Sequence, residues 1–144
     1  MSAVLGIAIR ATEAHLVARA GYTRSLAVLA GAKQAGLVTK TSIIVGMGET
    51  HDEVVATLAD LHAVGVDIVT IGQDLRPTTN HLPIDRWWHP DEFAELKRIG
   101  EGMGISHVEA SPLTRSSYHA KQAEAAASTC ARPQQPRSHW FCER

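Results

Sequence analysis

The stretch Thr41-Ser42-Ile43-Ile44-Val45-Gly46-Met47-Gly48-Glu49-Thr50-His51-Asp52-Glu53 decides how this chain folds. Its first seven residues form a β-branched, apolar run, the composition of a strand buried on both faces of a parallel sheet. Two glycines then permit a sharp turn. Thr50 and Glu53 have the Thr-x-x-Glu spacing of a capping box, in which each side chain takes up a free backbone N–H at the start of a helix. Val54, Leu58 and Leu61 fall on one face of that helix, and Gly65 ends it. A strand, a glycine turn and a capped helix make one strand-helix unit of an α/β fold.

The same alternation extends outward in both directions. Upstream, residues 25–35 read as a helix with Leu26, Leu29, Ala30 and Lys33 on its inner stripe, closed by Gly36. Downstream, residues 66–71 read as a second buried strand, followed by a Pro-, Thr- and Asn-rich connection over 72–89. A connection this long in a compact domain is usually functional or disordered. Pro90, with Asp91 and Glu92 behind it, opens a third helix whose Phe93, Leu96, Ile99 and Met103 face inward, and Gly102 and Gly104 break it. Residues 105–110 form a short third strand. Such alternation implies a parallel sheet or barrel rather than a sandwich.

Composition removes several function classes. A formal net charge of -1 gives no basic face for nucleic acid or anionic membrane. No apolar run approaches the roughly 20 residues of a membrane span, and the first twenty residues lack the order of a secretory signal. The histidines form no His-x-x-x-His pair that would suggest zinc. The only cysteines, Cys130 and Cys142, stand in the tail without metal-ligand spacing.

Reactive groups in parallel α/β barrels collect where strands end and helices begin. Three clusters occupy such places: Gly46, Gly48 and Glu49 after the first strand; Gln73 and Arg76 after the second; Arg115, Ser116, Ser117 and Tyr118 after the third. Each admits a plain structural account as well: a tight turn with a capping residue, a solvated loop arginine, and a serine turn bonded to nearby backbone. Trp87 and Trp88 read as packing residues or the border of a groove.

Taken in order, Thr39-Lys40-Thr41-Ser42, Gly46-Met47-Gly48-Glu49-Thr50, Thr70-Ile71-Gly72-Gln73, Leu75-Arg76-Pro77, His81-Leu82-Pro83, Pro90 with Glu92-Phe93, and Arg115-Ser116-Ser117-Tyr118 closely resemble the C-terminal half of the lipoyl synthases, radical S-adenosylmethionine enzymes. The resemblance covers residues 22–120 and leaves 1–21 and 121–144 outside it. It implies an α/β fragment, about three strand-helix units of a radical-SAM partial TIM-type barrel. It also implies sulfur insertion at C6 and C8 of an octanoyl chain carried on a lipoyl-carrier protein or domain, with two [4Fe-4S] clusters and S-adenosyl-L-methionine as cofactors. One serine of the Arg-Ser-Ser-Tyr string would ligate the auxiliary cluster, Ser117 ahead of Ser116, with Arg115 and Tyr118 as its supports. Gly46, Gly48, Glu49, Gln73 and Arg76 would form the pocket wall for S-adenosylmethionine and substrate.

Departures from the family pattern are Asp74, where an aromatic residue is common, and Ser111 and Thr114, where a glycine and a valine are usual. The two N-terminal cysteine triplets of the family have no counterpart here, so the resemblance implies a truncated chain, inactive by itself and completed by an N-terminal half. The expected location is cytoplasmic, or the mitochondrial matrix in a eukaryote. The alternative reading is a non-catalytic remnant that binds a partner. Residues 1–20 are expected to add a helix, and the tail beyond residue 121 to be a helical stub followed by disorder.

Overall fold

The computed structural model describes residues 2–7, 21–76, 78 and 83–115, with only the strand and its pairing described for 2–7. Element order is β1 (Ser2–Ile7), α1 (Tyr22–Gln34), β2 (Val38–Val45), α2 (His51–Ala63), β3 (Ile68–Gln73), α3 (Pro90–Met103) and β4 (His107–Ala110). The strands form one parallel sheet in the order β1-β2-β3-β4. Register runs Ser2↔Val38, Lys40↔Ile68 and Ile68↔His107 at the N-terminal ends of the pairings. Three strand-helix units are therefore present, as the alternation predicts, and β4 follows the third.

One expectation is corrected at the outset. Residues 2–7 are a strand paired along its whole length with β2, not part of an added helix. The physical reason is that β2 is buried and central, so its outer backbone groups need a partner, and the apolar run Ala3-Val4-Leu5 suits a parallel strand.

Period-two alternation along β2 decides which face carries the helices. Thr41, Ile43 and Val45 are buried on one face, while Ser42 is partly buried and Ile44 exposed on the other. Ile43 and Val45 join Val69, Ile71 and Val108 in a core with Tyr22 and Leu29 of α1, Val54, Leu58 and Leu61 of α2, and Phe93 and Leu96 of α3. α1 packs on β1 and β2, α3 on β4 and α2 against α3. The opposite face presents Lys40, Ser42 and Ile44 from β2 and Ile68 and Thr70 from β3, with Ile68 and Val38 forming a small second cluster.

The helix faces differ from the predicted stripes in detail. In α1 the buried positions are Tyr22, Ser25 and Leu29, and Leu26 is only partly covered. Tyr22 earns its burial through its hydroxyl, which donates to Asp60 Oδ2 of α2 at 2.7 Å. In α3 Phe93, Leu96 and Gly100 are buried, whereas Ile99 and Met103 sit at the core margin. Gly102 lies within α3, and Gly104 alone, at φ 106°, caps it. No helix among the described residues is long and apolar enough to cross a membrane.

At the N-terminal end of the sheet, the buried Asp67 joins three elements. Its carboxylate accepts from Thr39 N–H at 2.8 Å and Thr39 Oγ1 at 3.1 Å, and it pairs with Lys33 of α1 at 2.5 Å. The opposite, C-terminal end is left to the loops.

Candidate functional site

The loop after β2 is shaped by its own carboxylate. Glu49 is buried, and its two oxygens accept from Gly46 N–H at 2.5 Å and Met47 N–H at 2.9 Å. Those bonds close a turn in which Gly46 and Gly48 stand at φ 109° and 107°, a region that glycine enters without strain. The turn ends at Thr50, whose hydroxyl accepts from Glu53 N–H while Glu53 Oε2 accepts from Thr50 N–H, completing the capping box. Glu49, expected in the pocket wall, thus holds backbone with both oxygens.

Gln73 at the end of β3 is also buried and engaged. Its Oε1 accepts from Trp88 N–H at 3.2 Å, and its Nε2 donates to the Asp74 carbonyl at 3.2 Å. Gly46 O accepts from Asp85 N–H at 2.8 Å. Residues 83–88 therefore lie as a strap across the ends of β2 and β3. A Cβ at Gly46 would come within 2.0 Å of Gln73 Nε2, so close approach as well as φ requires glycine there.

Aromatic and charged groups fasten the strap to both helix starts. Trp88 is buried, with the Arg86 guanidinium 4.0 Å above its ring, and His51 of α2 stacks on it at 6.2 Å. Arg86 reaches Glu92 of α3 with two nitrogens, at 3.0 and 3.3 Å. The His89 N–H donated to Glu92, aided by Arg86, holds that carboxyl below its ordinary value. Trp87, by contrast, is exposed.

The third loop crosses β3. Gln73 N–H donates to Pro112 O, and a Cβ on Gly72 would lie 2.2 Å from Thr114 O, so the chain passes directly over that glycine. Arg115 donates from one nitrogen to Thr114 O at 3.1 Å and to Gln73 O at 3.4 Å. Beside these residues a cleft of about 440 Å³ opens, lined by Ser42, Ile44, Gln73, Asp74, Leu75, Thr114 and Arg115. That volume lies within the range of small-molecule pockets, and its lining mixes apolar side chains with a carboxylate, a guanidinium and hydroxyls.

The three loops named from sequence thus meet at one end of the sheet. Gln73 and Arg115 line the cleft. Gly46 and Glu49 shape the neighbouring turn, Gly48 is exposed on it, and Arg76 is an exposed rim residue at φ 40° whose N–H donates to Asp74 Oδ1. Ser116, Ser117 and Tyr118 lie outside the described residues, as do Pro77, His81, Leu82 and both cysteines. Sequence reasoning did not single out Ser42, Ile44, Leu75 or Thr114 as cleft lining. Alternation along β2 carried the signal for Ser42 and Ile44, because they point away from Ile43. Among the described residues no group of three or more His, Cys, Asp or Glu is placed to hold a metal ion.

No family model matches the chain. It is 52% identical over 116 residues to a protein of Halalkalibacterium halodurans named lipoyl synthase, an alignment covering 79% of this chain and 38% of that protein. The lipoyl synthase of Mycolicibacterium smegmatis is 58% identical over 99 residues, 69% of this chain and 32% of the relative. That of Bacillus subtilis is 50% identical over 116 residues, 79% and 39% respectively. The chain spans between 32% and 39% of the length of these relatives. Identity of this level, over the loops that gather at one end of a parallel sheet, makes the chain a homologue of the lipoyl synthases over a segment about a third of their length.

Proposed function

We propose that this chain supplies part of the active-site wall of a lipoyl synthase, the enzyme that inserts sulfur at C6 and C8 of a protein-bound octanoyl chain. The observation that carries this is that Gln73 and Arg115, at the ends of two loops, line one cleft beside the Gly46 turn, in a chain 50% or more identical to three lipoyl synthases over the matched segment. In this reading the cleft holds part of S-adenosyl-L-methionine or of the acyl substrate: Ile44 and Leu75 offer apolar surface, Ser42 and Asp74 hydrogen-bonding groups, and Arg115 a positive rim. When bound, S-adenosyl-L-methionine supplies the hydrogen-abstracting chemistry.

The chain's own contribution is positioning. Glu49 fixes the Gly46 turn, and Gln73 holds the strap at Trp88. Gly48 and Arg76 present the remaining accessible rim. The described residues alone do not fit an iron-sulfur cluster, which ordinarily requires four ligands. Cluster ligation is assigned to Ser117, then Ser116, supported by Arg115 and Tyr118. The acyl carrier is a lipoyl-carrier protein or domain, which meets the open end of the sheet.

A chimera tests the proposal. The matching segment of the Bacillus subtilis lipoyl synthase is replaced by residues 22–120 of this chain and placed in a strain lacking lipoyl synthase. Growth without lipoate is the expected result, abolished by Ser117→Ala and by Arg115→Ala. A chimera that is folded and soluble yet never supports growth overturns the reading.

A further inference from the structure

Asp74 and Arg115 bring opposite charges to one cleft without meeting. Both line the cleft of about 440 Å³, and among the described residues neither has an ion-pair partner. Each is tied to backbone instead. Asp74 donates its N–H to Val45 O at 2.8 Å, its carbonyl accepts from Gln73 Nε2 at 3.2 Å, and its Oδ1 accepts from Arg76 N–H at 3.3 Å. Arg115 uses a single terminal nitrogen for Thr114 O and Gln73 O, and Gln73 O belongs to the peptide that leads into Asp74. The anchored guanidinium and the carboxylate therefore flank one peptide unit. Arg115 is exposed, and its second terminal nitrogen and Nε form an edge that fits the two oxygens of a carboxylate.

Charge decides which ligands suit this pair. A simple anion drawn to Arg115 meets the Asp74 carboxylate, and a simple cation drawn to Asp74 meets the guanidinium. A molecule carrying an ammonium and a carboxylate on one carbon satisfies both. The same lining leaves apolar surface uncovered, with Ile44 48% and Leu75 40% exposed. A ligand with an apolar side chain gains by covering it.

We propose that the cleft binds a free α-amino acid with an apolar side chain, its carboxylate on Arg115, its ammonium on Asp74 and its side chain against Ile44 and Leu75. Asp74 is also a position where the chain departs from the family pattern, so the anionic half of the site is its own. The proposal names a ligand for the cleft already assigned to the active-site wall, and it rests on that reading for the cleft being a ligand site.

NMR titration of the isotopically labelled full chain with L-leucine tests it, followed through the Leu75 amide and the Arg115 Nε–H. Isocaproate and isoamylamine keep the carbon chain of leucine but lack its ammonium and its carboxylate respectively, and glycine keeps both charges without the side chain. Leucine is expected to give saturable shifts at both signals. The other three ligands should bind at least about tenfold more weakly, the loss that follows from removing one charge-assisted hydrogen bond or the buried side chain. Asp74→Asn keeps the shape and an acceptor for Arg76 N–H while removing the charge. It should bind leucine at least about tenfold more weakly and isocaproate more tightly than the wild type does. Absence of saturable shifts with leucine overturns the proposal, as does binding of isocaproate, isoamylamine or glycine as tight as that of leucine. An unchanged leucine affinity in Asp74→Asn overturns it too. Should that variant fail to fold, the ligand series on the wild type decides alone. Binding is read on this chain without cluster or carrier, whereas the chimera reads growth, so failure of leucine to bind and failure of the chimera are separate results.

Discussion

Gly46 and Gly48 have nearly the same backbone angle but different surroundings. An alanine at Gly48 meets open space, so only left-handed strain of about 1–2 kcal/mol is expected. At Gly46 the same change adds a collision with Gln73 Nε2 and should release the strap, costing about 3 kcal/mol or more and exposing Trp88. Urea unfolding followed by tryptophan fluorescence separates the two variants. Asp67 poses a similar contrast with Lys33. Asp67→Ala leaves the buried Thr39 N–H and hydroxyl without an acceptor and should cost about 3 kcal/mol. Lys33 is more than a third exposed, so Lys33→Ala should cost under about 1 kcal/mol. Thr39 and Asp67 look unremarkable in sequence, because their pairing joins strands 28 residues apart.

The connection between β3 and α3 is the element whose role sequence could only outline. Its length and composition marked it as either functional or disordered. What holds it, namely Gly46 O on Asp85, Gln73 on Trp88, and Arg86 on Glu92 and the Trp88 ring, depends on contacts among three loops. Glu92 gives this element a pH dependence. Its folded-state pKa lies below the ordinary 4.5, so its contribution is fully present above about that pH and is lost as the pH falls through the lower folded value. Glu92→Gln should therefore narrow the stability gap between neutral and acidic solution, a difference read from Tm measured at steps from neutral pH to below pH 4. At neutral pH the same change should cost only about 1 kcal/mol, because the Arg86 pair is partly exposed.

At the scale of the whole molecule, β2 and β3 are paired on both sides, while among the described residues β1 and the four-residue β4 each have one neighbour. Backbone amides of β2 and β3 should be the last to exchange hydrogen, and those of β4 should exchange through local opening well before global unfolding. Uniform protection across all four strands would show that the outer edges are covered by something beyond this sheet. Among the described residues three helices lie against one face, and the other carries exposed Ile44 and the buried Lys40 amine. Parallel sheets are ordinarily covered on both faces, and among the described residues no helix lies over this second face.

Sequence by itself determined the local units: the capped α2, the Pro90 start of α3, the central strands and the order in which loops carry Gly46, Gln73 and Arg115. These follow from periodicity, capping and turn chemistry, which act over a few residues. Only the tertiary structure decided that residues 2–7 form a strand, because that depends on the unpaired edge of β2 rather than on their own pattern. It also decided that Glu49 and Gln73 spend their polar atoms on backbone, and that the Lys40 amine is buried without a hydrogen-bond partner among the described residues. Such outcomes turn on which groups distant in sequence come close enough to bond, and on the cost of burying a charge where no partner arrives.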